Sequence, residues 1–402
     1  MRPVHSKSAL KQILNRDFNT VTAINFFVLL AYYQILVVSA SYAQEHFGAS
    51  LSTAGLTAGI MVIFCLISRF LSGNFISIFG GKIVLIFGTF LYLGAAVLSF
   101  FVDNLGILFV QRAVAGFAMG VTGTATGSIM ACAVPPAVQG LGVSLFSLST
   151  AIALAIGPFF GISVTSLFGF ELLYTEVLCM AGFCLLLSLT VRASNMARAA
   201  HRRSMLKLDS YIDVRVLKFA TIVFLVPLGY GCLTAYLANF SAERGLGAAA
   251  SIFFLAYGVA TVISRPLTGR LFDLYGENLI IYPTIILTSL TLFLVSISTS
   301  VWMIILAGLL QGFGFGNFTS AGQALALKLV RKYRFPQATS TYFIFFDLGI
   351  GTAPYIFGFV AAQWGFASMY QTLAAITLLA ALGYYLVHGS SHPLKRRLRR
   401  HA

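Results

Sequence analysis

Long apolar runs alternate with short polar or glycine-rich connections along almost the whole chain. Each run holds about 20 residues, which is enough for an α-helix to cross a hydrocarbon core roughly 30 Å thick. The first run follows a basic tail without a small-residue cleavage signature, so it predicts a retained helix. The pattern predicts twelve membrane spans, at residues 19–43, 53–76, 83–101, 105–131, 141–167, 172–190, 217–240, 248–271, 279–299, 302–326, 338–364 and 370–388.

Composition favours a chain embedded in lipid. Of the 402 residues, 58% are hydrophobic and only 9% are charged, and the mean hydropathy is +0.90. A water-soluble domain needs far more charge to cover its surface. Buried helices of a large soluble protein would also retain polar outer faces, and these runs have almost none. The predicted fold class is therefore an all-α integral membrane protein.

The net charge of +15 is unevenly distributed between the two sides of the predicted membrane. Of the lysines and arginines in the predicted connections, only Arg244 falls on the side that the termini do not occupy. By the positive-inside rule, both termini are predicted to be cytoplasmic, so the basic excess is an orientation signal and not a nucleic-acid interface. The tail Lys395–Arg400 is expected to contact anionic lipid. The other basic residues lie in the N-tail, around the central linker from Arg192 to Lys218, between spans 10 and 11, and at Arg69, Lys82, Arg265 and Arg270.

A repeat with a constant offset of 196 residues divides the chain into two halves. The hinge "SRFLSGNFISIFGGK" (68–82) matches "SRPLTGRLFDLYGEN" (264–278), "GFAMG" (116–120) matches "GFGFG" (312–316), and "FGFELLY" (168–174) matches "WGFASMY" (364–370). Pro158 likewise matches Pro354. The repeat predicts two pseudo-symmetric six-helix bundles that face the same way and share a central cavity, which rocking would open to each side in turn. The predicted divisions are an N-tail (1–18), an N-terminal bundle (19–190), a linker (191–216), a C-terminal bundle (217–388) and a basic tail (389–402).

These features resemble the major facilitator superfamily (MFS) over essentially the whole chain. The hinge resembles the family signature G-x-x-x-D-R-x-G-R-[RK], with Gly73 and Gly80 in the first copy and Gly269, Asp273 and Gly276 in the second. The resemblance implies that this hinge ties helix ends together in one access state. Ser77 and Ile78 replace the acid and the arginine in the first copy, so the clamp is expected mainly in the second half, with Arg69 and Arg265 taking part of the pairing.

Two further motifs resemble those of proton-driven exporters in the family. Arg112 begins an R-x-x-x-G-x-x-x-G pattern in span 4, and span 5 carries Gly157-Pro158-x-x-Gly161. Ser144 and Ala153 stand where the longer exporter motif has glycines. Pro158 and Pro354 are predicted to bend their helices.

Three ionisable residues stand out among those within predicted spans, where an unpaired charge costs at least about 2.5–3.5 kcal/mol. Asp347 is the candidate proton carrier, or else half of a structural ion pair with Arg69 or Arg265. Arg112 is a candidate partner for substrate or for an acid, or else a packing arginine. Glu176 would belong to a proton path, or else would simply favour a helix N-terminus.

Neutral polar and aromatic residues supply the predicted cavity lining. Ligand pockets are mostly apolar with a few placed polar groups, although any single tyrosine can instead anchor a helix at the membrane interface. The candidates are Asn25, Tyr32, Tyr33 and Gln34 in span 1, Tyr230, Tyr236 and Asn239 in span 7, and Gln311 and Asn317 in span 10.

Motifs for other kinds of chemistry are missing from the sequence. There is no nucleotide-binding G-x-x-x-x-G-K-[ST] loop, no metal-ligand spacing among the six histidines, no C-x-x-C and no nucleophile elbow. Neither a cofactor nor a metal is predicted, and a membrane enzyme is the weaker alternative.

The sequence predicts a monomeric, proton-coupled exporter of a small organic compound in a bacterial inner membrane. A metallophore or sugar exporter, an importer, and a receptor derived from a transporter stay open as alternatives.

Overall fold

The computed structural model describes residues 13–135, 139–192, 212–330 and 335–391. Within these ranges the chain is almost entirely α-helical and contains no β-strand. Most of the N-tail, most of the linker, and the segment Lys395–Arg400 with its predicted lipid contacts lie outside the described residues.

The helices follow one another with short connections. The first half contains α1 (Arg16–Phe47), α2 (Leu51–Phe79), α3 (Gly81–Leu98), α4 (Leu105–Ala133), α5 (Gln139–Phe168) and α6 (Phe170–Thr190). The second half contains α7 (Val214–Glu243), α8 (Ala249–Tyr275), α9 (Asn278–Ser296) and α10 (Val301–Lys328), which includes a π-helical turn at Gly312–Gly316. The last helix, Phe335–Val387, is broken at Gly365, so its two arms are called α11 (335–364) and α12 (366–387).

Ten helices within the described ranges are long and apolar enough to cross a membrane. The count differs from the twelve predicted spans for two reasons. The predicted spans 11 and 12 fall within one stretch of the ten, Ala338–Val387, although the chain turns at Gly365 between α11 and α12. In α8, the apolar segment found among the described residues, Ala249–Arg265, is shorter than the ten and is not one of them.

The 196-residue repeat is visible in the backbone at two pairs of glycines. Gly80 and Gly276 end α2 and α8 with φ angles of 84° and 93°. Gly169 precedes α6 and Gly365 precedes α12, with φ angles of 82° and 80°. A side chain at such an angle is strained, so glycine is required where the chain turns between helices.

Close packing between helices also recurs at the same offset. A Cβ atom added at Gly116 of α4 would collide with the carbonyl of Met61 in α2. A Cβ atom at Gly312 of α10 would collide with the carbonyl of Tyr257 in α8, which is the repeat equivalent of Met61. Small residues allow helix backbones to approach in the membrane, where apolar burial does not drive association.

The two halves meet mainly through three pairs of helices: α2 with α11, α5 with α8, and α1 with α7. The first two pairs are related by the repeat, because α2 corresponds to α8 and α11 corresponds to α5. We call the end of the molecule that carries Arg16, Lys82, Arg192 and Lys328 the basic end, and the end that carries Gly48, Gly169 and Gly365 the opposite end. The helices α1 and α7 are the most enclosed of the candidate spans and form the centre.

At the basic end, Glu277 fastens the last helix to its neighbours. Its carboxylate lies 3.3 Å from His388 Nε2 beyond α12 and 3.3 Å from Lys328 Nζ at the end of α10. The hydrogen bond with His388, reinforced by Lys328, lowers the pKa of Glu277 to about 2. Beside it, the Tyr384 hydroxyl donates to Asn278 Oδ1 over 2.6 Å.

Gly116→Ala is expected to destabilise the protein by about 1–3 kcal/mol, because backbone atoms of Met61 cannot move away from the new methyl group. Gly123→Ala on the same helix is the control, since nothing lies within 4 Å of its added Cβ. Thermal unfolding in detergent measures both. Equal unfolding midpoints for the two variants would contradict the close approach of α4 and α2.

Glu277→Gln is expected to lower stability by about 1 kcal/mol near neutral pH, the size of a partly solvated ion pair. A lowered native pKa contributes stability above the unfolded value of about 4.5, and this contribution fades as the pH falls toward about 2. The difference from wild type should therefore shrink between pH 5 and pH 3, as followed by thermal unfolding. A difference that grew on acidification would show that Glu277 is not held as a carboxylate. The exposed Glu243→Gln serves as control.

Candidate functional site

An ion pair joins the two halves inside the membrane-embedded part of the molecule. Arg69 Nη1 of α2 lies 3.3 Å from Asp347 Oδ2 of α11, and the guanidinium also lies 5.6 Å from the centre of the Phe343 ring. The Asp347 side chain is 11% exposed and that of Arg69 is 34% exposed. Asp347 thus pairs with Arg69, one of the two arginines predicted as its partner, and both residues lie on the wall of a cavity.

This cavity lies between the halves and has a volume of about 70 Å³, enough for several water molecules. Three of the predicted lining residues, Tyr32, Tyr33 and Tyr230, contribute to it together with Arg69 and Asp347. The rest of the lining is mostly apolar and comes from Leu36, Val62, Cys65, Met119, Leu154, Phe315, Thr319, Phe346 and Ile350.

Stacked aromatic rings form the wall of the cavity in the second half. The Tyr230 and Phe315 rings lie 4.5 Å apart with an interplanar angle of 15°. Phe315 and Phe346 follow at 5.7 Å and 18°. The π-helical turn in α10 contains Phe315. Sequence reasoning missed both phenylalanines, since the only indication of Phe315 was its place between the glycines of "GFGFG".

Hydrogen bonds between the halves close the opposite end of this cavity. The Tyr236 hydroxyl of α7 lies 2.7 Å from the Leu51 carbonyl oxygen of α2 and 2.6 Å from that of Pro354 in α11. Asn239 of α7 contacts Gln44 of α1 and accepts a hydrogen bond from Ser41 over 2.9 Å. Tyr236 and Asn239, predicted as cavity residues, are therefore part of this closure.

Glycines of α2 and α11 bring the backbones together beside the closure. An added Cβ at Gly55 would meet Pro354, one at Gly59 would meet Gly351, and one at Gly358 would meet Ser52. The Ser52 hydroxyl donates to the Tyr355 carbonyl over 3.0 Å. We call this contact, with Tyr236 and Asn239, the opposite-end seal.

The exporter-like motif of α5 positions α1. Added Cβ atoms at Gly157 and Gly161 would collide with Tyr33 and with the backbone of Gln34. Gln34 in turn donates from Nε2 to Glu176 Oε1 of α6 over 3.0 Å. Glu176 therefore holds the segment that carries the cavity tyrosines, in addition to lying near the start of α6. Pro158 and Pro354 lie inside α5 and α11.

Arg112 is fully buried within the first half and does not line the cavity described above. Its Nη1 donates to Gln111 Oε1 over 2.8 Å and its Nη2 to the Tyr174 hydroxyl over 3.4 Å. Its Nε has no hydrogen-bond partner. Among the described residues, no carboxylate forms an ion pair with it.

The other predicted polar residues lie on helix contacts. Asn25 donates to the hydroxyls of Ser149 and Thr150 in α5, at 3.1 and 3.0 Å. Asn317 donates to Ser264 of α8 over 2.7 Å. Gln311 is buried, and neither polar atom of its amide has a partner.

The hinge residues form the turns at the basic end. Gly80 and Gly276 reverse the chain, Gly269 lies within α8, and Gly73 has open space around it. The side chains of Ser77 and Asp273 lie outside the described residues, so the clamp stays a prediction. No group of three or more His, Cys, Asp or Glu side chains is placed to hold a metal ion within the part of the chain described.

A multi-pass helical protein with repeated halves around a charged, aromatic-lined cavity has the architecture of a secondary transporter. The chain belongs to the Major Facilitator Superfamily, whose family model matches residues 21–298 and 219–401. It is thus a transporter of this superfamily, a group of multi-pass membrane proteins that bind small-molecule substrates.

Relatives and solved structures agree with this assignment. An MFS-type transporter of Methanocaldococcus jannaschii is 24% identical over 387 residues, covering 93% of this chain and 98% of that protein. The multidrug resistance protein MdtG of Proteus mirabilis is 22% identical over 348 residues, covering 83% of this chain and 85% of MdtG. The crystal structure of the nucleoside transporter NupG has the same fold, with a TM-score of 0.75 at 14% identity over 92% of this chain and 98% of NupG.

Arg69→Gln is expected to destabilise the protein by about 2 kcal/mol, because it leaves the Asp347 carboxylate enclosed without its cation, although Arg69 is partly exposed. Adding Asp347→Asn should recover part of that loss, giving a coupling energy of about 1–3 kcal/mol in a double-mutant cycle. Thermal or denaturant unfolding in detergent measures the cycle. Strictly additive effects would mean that the pair contributes nothing to the joining of α2 and α11.

Proposed function

We propose that this protein is a proton-coupled exporter of a small organic compound that works by alternating access in a bacterial inner membrane. The observation that supports the proposal best is the Arg69–Asp347 pair, because it joins the two halves and lies on the wall of the cavity between them. The proposal includes twelve spans, cytoplasmic termini and a monomeric protein whose basic tail contacts anionic lipid.

The position of the pair links protonation to movement of the halves. While Asp347 is a carboxylate, its attraction to Arg69 holds α11 against α2. A proton on Asp347 removes that attraction and frees α2 and α11 to separate. The cavity has room for water, which would give the proton a route to the carboxylate. Proton binding and the opening of one side of the molecule are thereby coupled.

The conformation of the protein, with the opposite-end seal in place, fits one stage of an alternating-access cycle. The opposite-end seal closes the cavity at the end with few basic residues. In the orientation predicted by the positive-inside rule, this end faces the outside of the cell. The structure then corresponds to a state that is closed outward, in which a compound would enter from the cytoplasm.

Two observations support export. The name of the relative MdtG describes a multidrug resistance protein. The glycines of the exporter-like motif pack directly on the α1 backbone beside the cavity tyrosine Tyr33, where they control the position of that helix. The alternative is import of the compound, which would move it in the opposite direction across everted membrane vesicles.

The test uses everted membrane vesicles from cells that overproduce the protein, with the interior acidified by respiration. The probe is a toxic compound to which the same strain gains resistance in a growth screen. We expect its addition to release protons from the vesicles while the compound accumulates inside. Asp347→Asn is expected to abolish the proton release, because the side-chain amide of asparagine cannot bind and release a proton at the pH of the experiment.

The matched control is Asp103→Asn, an exposed acid at the opposite end, which should behave as wild type. Proton release that persisted in Asp347→Asn would contradict the assignment of this acid. Compound leaving the vesicles together with protons would contradict export.

A further inference from the structure

A buried side-chain amide of α1 lacks one of its hydrogen-bond partners. Gln34 is fully buried, and its Nε2 donates to Glu176 Oε1 of α6 over 3.0 Å. The Oε1 atom of the same amide is enclosed and has no partner. Most buried polar atoms in proteins are hydrogen-bonded, so an enclosed oxygen without a donor needs a physical explanation. The contact between Gln34 and Glu176 is short of one donor.

The helix α5 holds the backbone of α1 in place at this amide. A Cβ atom added at Gly161 would lie 2.6 Å from the Gln34 carbonyl oxygen and 2.8 Å from its Cα. A Cβ atom added at Gly157, one turn earlier, would lie 2.7 Å from Tyr33 Cβ. Because α1 is fixed by these contacts, the missing donor has to be supplied where the amide already lies.

Glu176 can supply that donor by binding a proton. A carboxylate only accepts hydrogen bonds, whereas a protonated carboxyl group also donates one through its O–H. A carboxylic acid and a side-chain amide are complementary, because each then offers a donor and an acceptor. With a proton, Glu176 can donate to Gln34 Oε1 while its other oxygen goes on accepting from Nε2. Both polar atoms of the amide have a partner only in this protonated form.

Glu176 has no cationic partner among the described residues. Its side chain forms no ion pair there, although it lies about two turns inside a membrane-spanning helix, where an unpaired charge is costly. Arg112 of α4 donates to Tyr174, two residues earlier in α6. A bound proton is therefore the means by which the charge of Glu176 can be neutralised.

The helices packed against α6 bring few other ionisable groups. These helices are α1, α3 and α5, and α5 contains no ionisable residue. The charged residues of the other two are Arg16, Asp17, Glu45 and His46 near the ends of α1, and Lys82 at the start of α3. Their remaining ionisable groups are the tyrosines Tyr32, Tyr33, Tyr42 and Tyr92, which are neutral at a pH where a carboxyl group titrates.

The helix α1 connects this pair to the cavity. Tyr33, next to Gln34, and Tyr32 line the cavity together with Asp347. A change in the hydrogen bonds of Gln34 therefore acts on the segment that carries the cavity tyrosines. The repeat equivalents of Gln34 and Glu176 are Tyr230 and Thr372, so this pair belongs to the first half alone, as Asp347 belongs to the second half alone.

We propose that Glu176 is a second proton-binding group of the exporter and that Gln34 is the positioning residue that completes its protonated form. A proton from the water at the opposite end, which is outside the cell in the predicted orientation, forms an O–H bond with one carboxylate oxygen. No other covalent bond changes, and the same bond breaks when the proton leaves. This inference rests on the proposed function and adds a second proton to each cycle, so that each half binds one.

Infrared spectroscopy of the full-length protein in lipid tests the pair without any transported compound. The C=O stretching bands of protonated carboxyl groups are recorded while the pH is lowered from about 8 to about 4, which includes the reference pKa of glutamate and a wide range above it. Gln34→Leu should move one band to a higher frequency, because the Glu176 carboxyl group then loses its amide partner.

The same Gln34→Leu change in two further backgrounds identifies the carboxyl group. In Glu176→Gln it should move no band, whereas in Glu171→Gln, which removes an exposed acid of the same helix, the band should move as in wild type. Glutamine at position 176 has nearly the size of glutamate and can pair with both polar atoms of the Gln34 amide, so this variant is expected to fold. A band shift that survives Glu176→Gln would overturn the proposal, and so would the absence of any shift in Gln34→Leu.

Proton counting in everted vesicles separates this inference from the proposed function, with the toxic compound from the growth screen as the probe. We expect Glu176→Gln to accumulate the compound while the protons released per molecule fall to about half, because one of two proton sites is lost. Glu171→Gln should keep the wild-type ratio. An unchanged ratio in Glu176→Gln would overturn the second proton site. No proton release from wild-type vesicles would overturn the proposed function, while the infrared result would still decide whether Glu176 binds a proton.

Discussion

A charged side chain surrounded by lipid and apolar helices needs a partner, and this requirement governs how the two halves of the molecule are joined. Asp347 finds its cation, Arg69, in the other half of the chain. The ion pair is therefore a contact between two bodies as well as a way to neutralise a carboxylate. Any change in the charge of Asp347 acts directly on the interface of α2 with α11, which is the basis of the proposed coupling.

The scaffold is repeated, whereas Asp347 and Arg112 within the helices are not. Glycines recur at the same offset at one pair of close helix crossings, Gly116 and Gly312, and at the turns of Gly80 and Gly276 and of Gly169 and Gly365, since these requirements are the same in both halves. The carboxylate of Asp347 has no counterpart in the first half, and Arg112 corresponds to Gly308 in the second. A symmetric frame with asymmetric charges gives two interfaces that can rock alike but carry different charged groups.

Movement in such a frame depends on which end is held together. The opposite-end seal combines close glycine contacts with hydrogen bonds from Tyr236 and Asn239, most of them to backbone or amide groups. These are neutral contacts of modest individual strength, so the seal can open without stranding a charge. The ionic contact lies deeper, next to the cavity, where a ligand or a proton reaches it.

Local sequence properties determined the helical segments, the repeat and the residue types of the cavity, because apolar length, glycine spacing and charge placement act within a few turns of one helix. They also pointed to Asp347, since an acid in an apolar run is conspicuous. The tertiary structure alone decided that its partner is Arg69 and not Arg265, and that Tyr236 belongs to the seal while Tyr230 faces the cavity. Two tyrosines on one helix are equivalent in a linear pattern. Their roles differ because contacts between residues far apart in the chain depend on how the halves dock, which no single helix encodes.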